Sequence, residues 1–212
     1  MKICCVSDLH GHFPEIPECD LLFLAGDYCP IAKRQFIWFQ KEFAPWLKKV
    51  REKGVEIVGI AGNHDWMFQR EVHLIPKMEW HYLQDQYLEI MGLKIWGTPW
   101  QPVFYDWAFN AEEKELERKW NLIPEDIDVI IVHGPPNGFG DFYINKAFPY
   151  NQTHLGSLSL TRRVQEIKPK LVVCGHIHMA HGIYNLDETK IINASYVDDE
   201  YKPCFQPVLL DL

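Results

Sequence analysis

The chain has 212 residues, 47% of them hydrophobic and 24% charged, ordinary values for a globular protein with one sizeable core. Its formal net charge is −8 and it has no Lys/Arg-rich arm, which argues against avid, sequence-independent binding of duplex nucleic acid. No stretch approaches the roughly 20 apolar residues of a membrane span, and the opening MKICCVSDLHGH is too short for a secretory signal and lacks its small-residue cleavage site.

The expectation is therefore one cytoplasmic domain over residues 1–212, without a membrane partner. The six cysteines show no CxxC spacing, and Cys4, Cys5 and Cys174 fall inside apolar runs. They read as buried, reduced thiols and not as a disulfide framework or a thiolate zinc site. In that setting the sequons at Asn151 and Asn193 have no consequence.

In chain order, KICCVS and DLLFLAG are short, Val/Leu/Ile-rich runs closed by a polar residue or glycine, the pattern of buried strands. The stretch from Ala32 to Gly54 has helical periodicity with basic residues late, and Pro45 kinks or splits it. VEIVGIAG is a third strand. YLEIMGLKIWGTPW reads as a hairpin turning through Met91-Gly92. NAEEKELERKWN reads as a helix opening on Asn110, with acidic residues in its first turn. DVIIVHG is a strand, LGSLSLTRRVQEI a helix halted by Pro169, and KLVVCGH a further strand. HGIYNLDETKIINAS and PVLLDL close the chain as strands and turns. Strand–helix alternation mixed with hairpins predicts two packed sheets with helices outside.

The chemistry sits at the exits of the buried runs. After ICCVS come Asp8 and His10; after LLFLAG, Asp27; after IVGIAG, Asn63, His64 and Asp65; after VIIV, His133; after LVVCG, His176 and His178. In open α/β sheets the carboxyl ends of the strands converge on one crevice, so these side chains can meet. Carboxylates, imidazoles and one carboxamide suit a pair of first-row transition-metal ions, not calcium and not thiolate-bound zinc. Each piece alone has a plainer reading; GNHD, for instance, also starts a helix capped by Asn63 or Asp65. Their joint occurrence is what points to a metal centre. In GHIH, two histidines flanking one residue on an extended segment point to the same side.

SDLH, AGD, AGNHD, VHGPP and GHIH, in this order between residues 7 and 178, resemble the calcineurin-like metallophosphoesterase superfamily. WGTPWQPVFYDWAFN, HGPPNGFGD, RRVQEIKPKLVVCGHIHMAHG and INAS are most similar to its small metallophosphoesterase-domain-containing branch. The resemblance implies an α/β fold, a four-layer αββα sandwich of two mixed β-sheets flanked by helices. It implies that Asp8, His10 and His178 hold one metal, that Asn63, His133 and His176 hold a second, and that Asp27 bridges them. It makes His64 the acid near the leaving group, with Asp65 to orient it. The metals would be two divalent or trivalent transition-metal ions, manganese first, iron or zinc as alternatives. Protein phosphatases of the superfamily continue the second motif as GDxVDRG; here it is GDYCPIAKR, which argues against that activity.

The implied reaction is hydrolysis of small phosphodiesters, cyclic nucleotides among them, by in-line attack of a metal-bridging hydroxide with His64 as general acid. In the aromatic stretch 96–109, Trp100, Tyr105 and Trp107 are candidates to stack on a substrate base; the alternative is that they cover the sandwich edge or build a homo-oligomer contact. Two other functions stand beside the diesterase: a nuclease for single strands, against which the acidic balance weighs, and a non-catalytic scaffold, against which the full ligand set weighs. The roles of His12, His154 and His181 are open, and His73 and His81 read as structural.

Overall fold

A computed structural model of the chain describes residues 1–31, 34–144 and 152–212. Its first half supplies one sheet. Strands β1 (Lys2–Val6), β2 (Leu21–Leu24), β3 (Glu56–Gly59) and β4 (His81–Tyr82) run parallel to one another, and the last strand, β15 (Val208–Asp211), pairs antiparallel with β1 at the other edge. The second half builds the other sheet from β5 (Gln86–Ile90), β6 (Leu93–Thr98), β9 (Val129–Val132), β12 (Leu171–Cys174), β13 (Gly182–Leu186) and β14 (Thr189–Asn193), in the order β13-β14-β12-β9-β6-β5. Its four central strands are parallel, with an antiparallel hairpin at each edge. Two small ribbons sit outside these sheets: β7 (Gln101–Pro102) with β8 (Asn110–Ala111), and β10 (Phe142–Ile144) with β11 (Gln152–His154).

The apolar runs are continuous because most central strands are buried on both faces. Ile3, Cys5, Leu21, Phe23 and Val58 pack between the sheets against Ile95, Val129, Ile131, Val173 and Ile192. Their neighbours Cys4, Val6, Leu22, Leu24 and Ile57 point the other way, onto Trp38, Phe39, Phe43 and Leu47. Ile130, Val132, Val172 and Ile191 face Leu116, Trp120, Leu160 and Val164 on the opposite outer side. The result is the expected four-layer αββα sandwich. Each fully buried Val, Leu or Ile contributes about 1.5–3 kcal/mol by removal from water.

The outer layer on the first sheet comprises α1 (Gln35–Trp38), a π-helical turn at Phe39–Phe43, and α2 (Ala44–Arg51). Pro45 lies in the first turn of α2, directly after the π-helical turn, and Phe43 and Ala44 keep right-handed helical backbone; the helix is interrupted there without being broken. Ala32 and Lys33, at the start of that stretch, lie outside the described residues, as does the sequon at Asn151. The short α3 (Met67–Arg70) follows the GNHD segment. On the second sheet lie α4 (Glu113–Trp120) and α5 (Leu158–Ile167). Ser157 caps α5 by accepting from the Leu160 amide, and Lys168 ends it in the left-handed region before Pro169. The β5–β6 turn has φ of 52° at Met91 and 80° at Gly92, the paired positive angles that a two-residue hairpin of matching twist requires.

Asn110 does not open α4. It lies in β8, and its side chain holds the preceding loop by donating to the carbonyls of Phe104 and Tyr105 and accepting from Gln101. Asparagine that can cap a helix can equally close a turn, and here the turn takes it. At the second sequon, Asn193 is fully buried and donates to the carbonyls of Gly140, Gly175 and Ile177.

Candidate metal centre

The parallel strands of both sheets deliver their carboxyl ends to one edge, and the backbone ties the exits together. The Asp8 amide donates to the Gly26 carbonyl at 2.9 Å, the Gly175 amide to His133 at 3.0 Å, and the Tyr196 amide to Ser7 at 2.9 Å. Ser7 and Ser195 form a bridge between the ends of β1 and β14.

To turn their side chains onto this edge, Asp8, His10, Asp27 and His176 all adopt left-handed backbone, with φ of 53°, 42°, 57° and 69°. Such residues cost on the order of 1–3 kcal/mol each and persist only where the surroundings fix them, typically at functional sites. Two glycines are obligatory for steric reasons. A Cβ on Gly62 would stand 2.3 Å from Asp27 Oδ1, and one on Gly175 would stand 2.2 Å from Asp8 Oδ2.

Among the described residues, three overlapping sets of donor atoms lie within 4.8 Å of one another: Asp8, His10 and His178; His10, Asp27 and His64; Asp8, Asp27 and His133. Asp27 belongs to two of them. His176 and Asn63 join at the next contact, because Asn63 Oδ1 lies 2.8 Å from both His176 Nδ1 and His133 Nε2. Asp8, Asp27, Asn63 and His133 are all at most 1% exposed.

The donor set fits cations. His133 Nδ1 faces the Ala25 carbonyl at 2.8 Å, so it carries the N–H. In a neutral ring Nε2 is then a lone pair, yet it faces Asn63 Oδ1 at 2.8 Å and Asp27 Oδ2 at 3.4 Å. His178 repeats the pattern: Nδ1 faces the Asp198 carbonyl at 2.9 Å, and Nε2 lies 3.4 Å from Asp8 Oδ1 and 3.3 Å from His10 Nε2. With neutral rings, lone pairs would face lone pairs at both places; a proton on Nε2 relieves this in the metal-free chain, and a metal cation would take the proton's place.

The proton equilibria agree. Burial opposes a charge on His133, but Asp27 outweighs it and lifts the ring to about 9. His178 is also raised, by Asp8 against burial. Burial, with the positive His133 second, pushes His176 down to about 3; burial also takes His10 to about 3, against the pull of Asp27. Asp8 and Asp27 are held well below the carboxylate range despite burial, by His178 and His133 respectively. Asp8, His10, Asp27, Asn63, His133, His176 and His178 are thus the residues that could hold metal ions.

His64 has its Nε2 3.9 Å from Asp27 Oδ2. Its ring packs edge-on to His10 at 4.7 Å, and Trp107 lies over it at 4.2 Å and 30°. Burial lowers its pKa while Asp27 pulls it up. Asp65 does not orient this ring. Its carboxylate accepts from the backbone amides of Asp27, Tyr28, Cys29 and Gly62, and so sets the shape of the Asp27 and Asn63 turns. Nor does Asp65 cap α3, whose N-cap position is Trp66.

Four of the cluster, Asp27, Asn63, His176 and His178, form the floor of a cavity of about 540 Å³, walled by Phe104, Tyr105, Tyr143 and Tyr201. Of the aromatic candidates, Tyr105 reaches it. Trp107 borders a separate cavity beside His64. Trp100 is corrected to a structural role: its indole donates to Asp85, Lys119 lies over its ring, and it packs edge-on against Phe109. A larger groove of about 620 Å³, near Ile16, Cys19 and Lys53, contains none of the cluster, so volume does not identify the site.

Sequence reasoning missed Ser195, whose hydroxyl donates to Asp8 Oδ2 at 2.8 Å, and Gln35, whose amide donates to the His64 carbonyl and accepts from the Met67 amide. INAS, a polar pair at the end of a buried run, carried a signal for Ser195; nothing local marks Gln35. His181 is held by the Ser195 carbonyl and stacks on Phe205, His12 faces the Tyr201 carbonyl, and His154 pairs with buried Asp141 at 2.7 Å. Exposed His81 lies 3.4 Å from Glu56, and His73 sits on an exposed turn.

A sequence model of the family described as calcineurin-like phosphoesterase matches residues 1–180. The chain belongs to this family. It is 34% identical to human metallophosphoesterase domain-containing protein 1, over 100% of this chain and 71% of that protein. It is 30% identical to the UPF0046 protein C25E10.12 of Caenorhabditis elegans, over 100% and 81%. A solved crystal structure with 16% identity superposes at a TM-score of 0.63, covering 91% of this chain and 89% of the other, and supports the sandwich fold. For this calcineurin-like phosphoesterase, family and site chemistry agree on metal-dependent phosphoester chemistry. No helix among the described residues is long and apolar enough to cross a membrane.

Proposed function

We propose that this chain is a dinuclear-metal-dependent phosphodiesterase for small phosphodiesters, with His64 as the proton donor. The observation that carries the reading is one contiguous cluster: Asp27, Asn63, His176 and His178 line a single cavity with His64, and Asp8, His10 and His133 lie buried in contact with them. Two bound ions would polarise the phosphoryl group and lower the pKa of an attacking water; manganese suits the mixed O and N donors, with iron or zinc as alternatives.

The chain's own residues supply the rest. Asn63 and His64 present polar groups to the phosphoryl oxygens. Burial lowers the pKa of His64, and a further anion beside it, the phosphate of the substrate, would raise it and favour the protonated ring. Ser195 and the Asp65-bound turns fix Asp8 and Asp27 in place. The formal net charge of −8, with no Lys/Arg-rich arm, favours a small diester over a polyanionic single strand. Cysteines outside any disulfide suit a cytoplasmic setting.

The test is hydrolysis of an aryl phosphodiester and the matching monoester by metal-free, EDTA-treated and manganese-loaded protein. Diester hydrolysis abolished by EDTA and restored by manganese is expected. Full activity without metal, or preference for the monoester, would refute the reading.

A further inference from the structure

His64 borders two cavities. One is the space above the metal-ligand cluster; the other, about 360 Å³, is lined by Trp66, Met67, Arg70, Glu71 and Trp107. Its walls are built, not incidental. Trp107 lies over the His64 ring at 4.2 Å. Arg70 lies one helical turn after Trp66, and its guanidinium carbon sits 3.5 Å over the indole. Gln35 bridges the His64 carbonyl and the Met67 amide, which fixes the wall between the cavities.

We propose that this second cavity is a leaving-group subsite for a planar aromatic group; the proposal rests on the phosphodiesterase reading above. Hydrolysis joins the oxygen of water to phosphorus and breaks the bond to the leaving oxygen. That oxygen takes the proton of His64, and the proton lost by water goes to solvent. The leaving oxygen therefore stands beside His64, and its substituent starts at the wall the two cavities share. A guanidinium stacked on an indole offers its second flat face to another planar group. Trp107 and Met67 supply apolar contact. Arg70 donors and the Glu71 acceptor match the mixed edge of a nucleobase. A diester has two substituents, and the two cavities give each its own place.

The experiment compares two methyl phosphodiesters matched in leaving-group basicity, one leaving as 4-chlorophenol and one as hexafluoroisopropanol, on manganese-loaded protein. Binding of 4-nitrophenol to EDTA-treated protein, followed by tryptophan quenching, gives a readout independent of turnover. Wild type is expected to favour the aryl ester by about tenfold in kcat/KM, mostly through KM. Arg70→Ala and Arg70→Lys should both lose most of that preference and weaken 4-nitrophenol binding about fivefold, because lysine keeps the charge but not the flat face. Trp107→Leu should act in the same direction. Retention of the preference in Arg70→Lys, or in Arg70→Ala and Trp107→Leu together, would overturn the subsite. Hydrolysis of both esters without aryl preference would overturn the subsite alone, whereas hydrolysis of neither would overturn the phosphodiesterase reading and the subsite with it.

Discussion

The floor and the rim of the main cavity are made by opposite means. Floor residues and the ligands beneath them stand at or just past the ends of buried strands, with polar atoms fixed from behind: Asp8 by Ser195, His133 by Ala25, His178 by Asp198. Rim residues come from loops and the small β10–β11 ribbon, and Tyr105 is 80% exposed. A floor of this kind tolerates little change, because moving one donor leaves buried lone pairs and charges uncompensated. A rim of this kind is free to change what it admits. The floor should thus govern whether reaction occurs, and the rim which substrate is preferred.

Three substitutions, in the floor, beside it and behind it, probe this contrast, in descending order of effect. Asp27→Asn should be the most severe, since Asp27 belongs to two of the donor sets. Hydrolysis should fall to background and elemental analysis should show loss at both positions; two ions per chain retained would refute the bridging assignment. His64→Ala should leave both ions bound. With an alkoxide leaving group it should slow hydrolysis by about 10²–10⁴-fold, and with a nitrophenolate, which departs without a proton, by much less. Equal loss on both at intact metal content would remove His64 from the acid role. Ser195→Ala leaves Asp8 in place but takes away one of its hydrogen bonds. A loss of about 10–100-fold in metal affinity or activity is expected, measured by titrating manganese into stripped protein; an unchanged affinity would make the floor less dependent on its backing than the geometry implies.

The same contrast explains how far the sequence could be read. Buried runs such as LLFL and VIIV, and the polar residues directly after them, were legible because local pattern and position in the fold coincide there: a strand end is a site because the sheet makes it one. The Met91-Gly92 turn was legible for a similar reason. Residues whose roles depend on distant partners were not. Asp65 is adjacent to His64 in sequence, yet its carboxylate turns to amides from Asp27 to Cys29. Trp100 looks like its neighbours in an aromatic run and is held away by Asp85 and Lys119. Asn110 has the chemistry of a cap and is used in a turn. Gln35 and Tyr201 reach the site from loops and a helix start with no periodicity to mark them. Tyr201 packs edge-on to His10 at 4.7 Å from beyond the segment that the family model matches.

The smallest expected effect is at Tyr105, where rim and backbone strain can be separated. Tyr105 has φ of 49° and its ring packs edge-on to Phe104, at 4.7 Å. For a residue with a Cβ the left-handed region costs roughly 1–2 kcal/mol relative to glycine. Tyr105→Gly should therefore raise stability, by up to about 1 kcal/mol once the greater flexibility of glycine in the unfolded chain is counted. Tyr105→Ala keeps the strain and should change stability by no more than about 0.5 kcal/mol, as surface positions usually do. Both variants lose the ring, so both should raise KM for a nucleotide diester by roughly fivefold, the lower end of what one base–aromatic stack contributes, with metal content unchanged. Stability and selectivity would then move in opposite directions in Tyr105→Gly. Denaturant midpoints and KM for a nucleotide and a simple aryl diester, measured on the same preparations, decide it. A fall in stability for the glycine variant would mean that the ring is part of the packed structure. Equal KM changes on the two substrates would mean that Tyr105 shapes the cavity mouth without recognising a base.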